Sequence, residues 1–206
     1  MFVTAIRQQQ RDVTRYSVYI DSKYCFSLGQ DALLDSGLVS GQELGKEQLD
    51  AYKRLSQDDR LYASALRYAV LRPRSEWEML MYLQKKHSPT PIIEQITNKL
   101  RSLDLLNDSK LAQMLVNDRQ LLRPTSRRGL VQLLAKKRIP NDVIEQALAV
   151  DIDESGALQA VLQKKLRIPR YRSDPKKLLA YLARQGFKYD DIKKAFEEVD
   201  FDSQTA

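Results

Sequence analysis

The chain has 206 residues, 43% apolar and 30% charged, with a formal net charge of +7 from 34 Lys+Arg against 27 Asp+Glu. That balance excludes fibrous, collagen-like and disordered classes and allows one large domain, two small ones or several short stacked units. One cysteine (Cys25) and one histidine (His87) exclude an internal disulfide and a Cys/His zinc site, and the seven glycines form neither a P-loop nor a dinucleotide-binding fingerprint.

No run approaches the ~18 consecutive apolar residues a membrane span needs. Polar residues follow MFVTAIRQQQ before a signal-peptide core forms, so the expected location is the cytoplasm.

The first 57 residues carry a β texture. FVTAIR alternates, and TRYSVYID sets Arg15, Ser17 and Tyr19 opposite Tyr16, Val18 and Ile20, a period of two. Asp21-Ser22-Lys23 supplies turn residues before the aromatic run YCFSL, which predicts a hairpin over 14–28. A short helix is expected over 30–36, stopped by Gly37, and another over 46–56.

From residue 58 the period becomes helical: Tyr62, Ala65, Leu66 and Ala69 follow i, i+3, i+4, i+7. The segment then repeats itself. SEWEMLMYLQKKH (75–87) aligns without gaps on SRRGLVQLLAKKR (126–138), and SDPKKLLAYLARQG (173–186) aligns with one inserted residue. Leu83, Leu134 and Leu182 become equivalent, as do Ile93, Ile144 and Ile192, at separations of 51 and then 48 residues.

The domain expectation is a hairpin-plus-helix module over 1–57, then three-helix units over 58–106, 107–152 and 153–206 including the C-terminal tail. Ser75 with Glu78 reads as a capping box, and Pro91 and Pro175 suit first-turn positions. A unit of this size buries little apolar surface alone, so neighbouring units are expected to stack. The expected fold class is mainly α: an elongated, curved array of three tandem three-helix units behind a small β-hairpin/α module.

Charge is concentrated. Residues 119–172 hold 12 basic and five acidic side chains, an excess equal to the whole net charge of +7. Such asymmetry points to an anionic partner, most simply nucleic acid.

Several motifs in order resemble the bacterial RecX family of RecA regulators. YSVYIDSKYCFSLGQDALLDSGLVSGQEL is similar to the family's hairpin and its LxxGLxxGQEL entry. RPRSEWEMLMYLQKK resembles its RxRSxxELxxxLxxK segment, LNDSKLAQMLVNDR its LDDxxFAxxxVxxR, and LLAYLARQGFKYDDI its LxRxLxRRGFxxxxI. Two departures touch helix ends or packing: Lys137-Arg138 stands where the family often has Lys-Gly, and Leu111 replaces an aromatic.

The resemblance implies a protein without enzymatic activity or cofactor. It implies binding of RecA recombinase filaments and single-stranded DNA, with double-stranded DNA as a further partner, by a monomer. The implied effect is restraint of ATP hydrolysis, strand exchange and filament growth. Two other classes stay open: a general DNA-binding helical-repeat protein without a recombinase partner, and an enzyme using carboxylates or lysines. Scarcity of His, Cys and Gly counts against the latter.

The DNA- or filament-binding candidates are Arg123, Arg127, Arg128, Lys136, Lys137, Arg138, Lys164, Lys165, Arg167, Arg170, Tyr171 and Arg172. Arginine's planar fork binds phosphate or carboxylate bidentately; the competing reading is a solvated face that serves solubility. Arg72, Arg74 and Arg119 sit where they can close helix ends. Tyr171, between Arg170 and Arg172, suits stacking on an unpaired base or packing at a helix junction.

The hairpin aromatics and Trp77 are expected in the core, Trp77 at least partly covered. Cys25 reads as a buried small hydrophobe, and His87 as the cation ending a helix. Asp58-Asp59 and Asp190-Asp191 both read as helix starts, with no metal role.

Overall fold

The computed structural model describes residues 1–198. Three strands come first, β1 (Val3–Gln8), β2 (Arg15–Ile20) and β3 (Lys23–Gly29), in an antiparallel sheet of order β1-β2-β3. Asp21 and Ser22 both have positive φ (47° and 66°), the twist of a two-residue type I′ hairpin turn. Val18 pairs with Phe26 but Tyr19 pairs with Tyr24, so Cys25 is the extra residue of a β-bulge.

The bulge sorts the aromatics. Phe26 packs in the core, while Tyr24 is exposed and meets the half-exposed Tyr19 edge to face at 6.1 Å. Cys25 is half-buried against the same core. The expectation of a wholly packed set of hairpin aromatics is therefore corrected.

Helix α1 (Gln30–Ser36) ends at Gly37, whose φ of 61° gives a left-handed cap. Helix α2 runs from Lys46 to Leu71, 26 residues without a break. It replaces the two helices expected on either side of residue 57, so that expected boundary falls inside a helix. Asp58-Asp59 consequently sits mid-helix rather than at a helix start.

The cause of that continuity is a polar seam from α2 to the sheet. The Ser56 hydroxyl donates to the Ser27 carbonyl at 2.7 Å, Asp59 accepts the Gly29 N–H at 2.9 Å, and Arg60 donates to the Tyr24 hydroxyl at 2.8 Å. Ser56, Asp59 and Arg60 satisfy sheet-edge groups that a break in the helix would strand. Below this seam Val3, Val18, Ile20, Phe26, Leu28, Leu38, Leu44 and Leu49 form the N-terminal core.

The remaining helices are α3 (Glu76–Gln84), α4 (Thr90–Ser102), α5 (Asp108–Leu122), α6 (Arg127–Lys136), α7 (Asn141–Ala147), α8 (Glu154–Leu166), α9 (Pro169–Arg172), α10 (Pro175–Arg184) and α11 (Tyr189–Glu197). The single turn α9 was not anticipated; Pro169 opens it and separates α8 from α10.

The repeat is visible in packing and backbone alike. Met79, Leu130 and Leu178 are buried at equivalent positions, as are Leu83, Leu134 and Leu182, and Ile93, Ile144 and Ile192. The middle helices α3, α6 and α10 are each followed by a left-handed residue at the equivalent place: His87 (φ 54°), Arg138 (φ 57°) and Gly186 (φ 93°). Behind two of these, the Ile139 and Phe187 amides reach back to Leu134 and Leu182 at 3.4 Å, a Schellman closure.

The caps follow the expected chemistry. Ser75 N–H donates to the Glu78 carboxylate at 3.0 Å while the Glu78 N–H donates to the Ser75 hydroxyl at 3.2 Å. Asn107, Ser126, Asp153 and Asp174 accept backbone N–H groups at the starts of α5, α6, α8 and α10. Pro91, Pro175, Asp190 and Asp191 lie in first turns as expected. Trp77, expected to be core or partly covered, is exposed.

Two compact units emerge, one of Met1–Arg72 with Met79–Leu105, the other of Pro73–Glu78 with Leu106–Ala206. The second holds two apolar clusters. One gathers α5–α7 around Leu111, Leu130, Leu134 and Ile144; the other gathers α8, α10 and α11 around Leu162, Leu178, Leu182 and Ile192.

Candidate nucleic-acid interface

Helix α5 stops because Pro124 follows Arg123, whose backbone turns extended (φ −145°) while its amide still reaches the Arg119 carbonyl at 3.2 Å. This leaves Arg119 and Arg123 one turn apart at the helix end. Helix α8, capped by Asp153, carries Lys164 and Lys165 in its last turn, where cations complement the dipole.

The second unit brings these ends together. A recess of about 240 Å³ is lined by Arg119, Leu122, Arg123, Lys164, Lys165 and Tyr181, with Val161 and Phe187 contributing apolar wall. Four cations and no carboxylate line it. Lys165 has its ammonium 4.5 Å from the Tyr181 ring centre and 5.6 Å from that of Tyr171, so its position is held by two ring faces. Arg119, also suited in sequence to closing its helix, lines the recess as well.

The placement of the recess depends on a close junction. Gly186, in the left-handed turn after α10, has room for no side chain: a Cβ there falls 2.7 Å from the Ser126 hydroxyl and 2.9 Å from the Arg128 Cβ. Ser126 is fully buried, accepts the Gly129 N–H at 3.0 Å and donates to the Gln185 carbonyl at 2.7 Å. The start of α6 is thereby pinned to the turn between α10 and α11, beside the recess.

The other sequence candidates divide. Arg127 donates to the Leu148 carbonyl at 2.8 Å, and its amide donates to Glu154 at 3.2 Å, tying the end of α7 to the start of α8. Lys137 pairs with Glu78 at 3.1 Å, both side chains largely covered. Arg128 packs its stem against Gly186, and Arg138 holds the left-handed position after α6.

Tyr171 is half-buried against the α8/α10/α11 cluster, 5.4 Å from Tyr181, with the Arg170 guanidinium 5.1 Å over its ring. Of the two uses open to it, packing is the one it shows. Lys136, Arg167, Arg170 and Arg172 are exposed and do not line the recess. The structure thus gathers Arg123, Lys164 and Lys165 and scatters the rest.

A wider recess of about 730 Å³ lies in the first unit, lined by Asp12, Arg15, Asp58, Tyr62, Arg67 and Lys99 among others. Burial there raises the Asp58 pKa above the ordinary carboxylate value, while Thr14 hydrogen bonds lower that of the exposed Asp12. Sequence reasoning missed this feature because it needs α2 to be unbroken. Among the described residues no group of three or more His, Cys, Asp or Glu is placed to hold a metal ion, and no helix is long and apolar enough to cross a membrane.

Comparison with known proteins decides the family. The regulatory protein RecX N-terminal domain profile matches residues 1–45, and the profile of the second three-helix domain of RecX matches 107–148. A regulatory protein RecX from Bacillus pumilus is 30% identical over 208 residues, spanning 98% of this chain and 79% of that protein. The chain belongs to the RecX family.

The Bacillus subtilis RecX is 26% identical across 98% of this chain and 78% of its own length. A crystal structure of a regulatory protein RecX superposes with a TM-score of 0.74 at 25% identity, covering 95% of this chain and 98% of that one. RecX from Lactobacillus salivarius gives 0.57 at 26% identity, over 68% of this chain and 95% of that one. These RecX structures share the small N-terminal sheet followed by a helical array, and the family is one of regulatory proteins.

Proposed function

We propose that this chain regulates a RecA recombinase by binding its filaments on single-stranded DNA, restraining ATP hydrolysis, strand exchange and filament growth. The observation that carries the reading is the recess where Arg119, Arg123, Lys164 and Lys165 converge without an acidic neighbour in the lining. Arginine forks grip phosphate oxygens bidentately, lysines add point charge, and released counterions supply sequence-independent affinity.

The recess has a second ingredient: Leu122 and Tyr181 offer apolar and aromatic surface beside the cations. Unpaired bases need such a platform, whereas a duplex hides its base faces, so single strands are preferred over double-stranded DNA. Membership of the RecX family supports the recombinase as the protein partner. The protein acts as a cytoplasmic monomer by occupancy, needs no cofactor, and bridges neighbouring protomers at a spacing unproductive for hydrolysis.

The test is the single-stranded-DNA-stimulated ATPase of the cognate recombinase, with co-sedimentation of protein, recombinase and DNA omitting each in turn. A slowed ATPase and a ternary pellet are expected. An unchanged rate and unchanged filament lifetime refute the reading; tight, salt-steep DNA binding indifferent to recombinase instead identifies a general DNA-binding protein.

A further inference from the structure

Four of the five most exposed large apolar side chains among the described residues are two matched pairs. Val70 and Leu71 (65% and 79% exposed) end α2; Leu121 and Leu122 (81% and 76%) end α5. The pairs lie 51 residues apart, the spacing that relates Leu83 to Leu134 and Ile93 to Ile144.

Each pair continues identically in kind. Val70-Leu71-Arg72-Pro73-Arg74-Ser75 corresponds to Leu121-Leu122-Arg123-Pro124-Thr125-Ser126, with four of six residues the same. In the 13 residues before each stretch (57–69 against 108–120) no position is identical. Shared ancestry of the units therefore does not account for the likeness, since the adjoining helix has changed throughout.

Structural need explains part of it. Proline stops the helix, and the serine caps the next one from a fully buried position. Nothing in either unit covers the apolar pairs, however, and isolated surface leucines serve no fold. Two exposed apolar pairs, each followed by an interface-favoured arginine, make duplicate contact elements.

We infer that the ends of α2 and α5 are equivalent docking points for successive identical protomers of one protein filament. The occupant is a polymer of identical subunits because duplicate elements match a partner that presents the same apolar site repeatedly. A partner with one such site engages one element and leaves the other idle, whereas a repeating partner engages both and multiplies their affinities. This rests on the filament reading above and adds to it a protein-contacting surface separate in kind from the phosphate-binding recess.

The experiment compares the native chain with V70Q/L71Q and with L121Q, all confirmed native in helicity and melting. The probes are cognate recombinase polymerised on single-stranded DNA, and the bare DNA. Each variant is expected to bind the filament about tenfold to a hundredfold more weakly, to a similar extent, since each retains only one of two linked docking points. V70Q/L71Q is expected to bind bare DNA as the native chain does.

Native filament affinity in either variant overturns the inference. So does an equal loss toward bare DNA in V70Q/L71Q. If the native chain itself fails to bind the filament, the recombinase reading falls and this surface with it; if it binds and the variants bind equally, only the surface falls.

Discussion

Arg15 of β2 and Asp59 of α2 form an ion pair at 2.8 Å, with only 12% and 13% of their side chains exposed. The same carboxylate accepts the Gly29 N–H at 2.9 Å, so one residue in the middle of a helix closes the sheet edge and neutralises an inward-facing arginine. Replacing Asp59 by Ala leaves a covered guanidinium and an amide without their acceptor. A loss of about 3 kcal/mol in stability is expected, read by denaturant unfolding. Asp59→Asn, which keeps an acceptor, recovers part of it; equal losses from both contradict the ion-pair role.

Cations that bind DNA and cations that hold the fold are separable. Arg123→Glu with Lys164→Glu is expected to weaken single-stranded DNA binding at least tenfold. It also reduces the magnitude of the log–log salt slope by roughly 0.7 for each phosphate no longer neutralised. Arg127→Glu with Lys137→Glu acts elsewhere, because Arg127 closes α7 and Lys137 pairs with Glu78. That variant is expected to lose about 2 kcal/mol of stability, measured by thermal melting. Loss of DNA binding without loss of stability in it places these two residues at the interface instead.

The left-handed positions after α6 and α10 give opposite results on substitution. Arg138 carries a side chain at φ 57°, and Arg138→Gly is expected to stabilise by about 1 kcal/mol. Gly186 sits at φ 93° with Ser126 and Arg128 against it, so Gly186→Ala is expected to destabilise by more than about 2 kcal/mol. Thermal melting of both variants checks the pair; a destabilised Arg138→Gly shows that the arginine side chain has a structural partner.

Asp58 sets a pH dependence of known sign. Burial raises its folded-state pKa above the ordinary carboxylate value. The folded state therefore binds its proton more tightly than the unfolded chain, and ionisation at neutral pH opposes folding. Asp58→Asn is expected to stabilise modestly at pH 7, with the gain fading as pH falls into and below the carboxylate range. Unfolding free energies at pH 7 and in mild acid test it; a gain that grows on acidification reverses the sign.

Much of the architecture was legible because its signals are local or periodic. Alternation over 14–28, Asp21-Ser22 at the turn, Gly37 after α1 and the Ser75–Glu78 box each act within a few residues. The buried series Leu83, Leu134, Leu182 followed from a repeat printed in the chain. The candidate site was less legible. Charge density over 119–172 marked the region, yet Arg127 and Arg123, four residues apart, have different work. Their side chains are long, and what they meet is decided by α7 and α8, which arrive later in the sequence.

By itself, then, the sequence determined the strand and helix inventory, the three-fold helical pattern, the excess of positive charge and the likeness to RecX proteins. Only the tertiary structure decided that α2 runs unbroken through Asp58-Asp59, since its reason is hydrogen bonding to a sheet edge some 30 residues away in sequence. It also decided which cations converge on a recess, which close helices, and which leucines stay uncovered. Propensity and period are properties of neighbouring residues; partnership and exposure depend on what the fold brings opposite them.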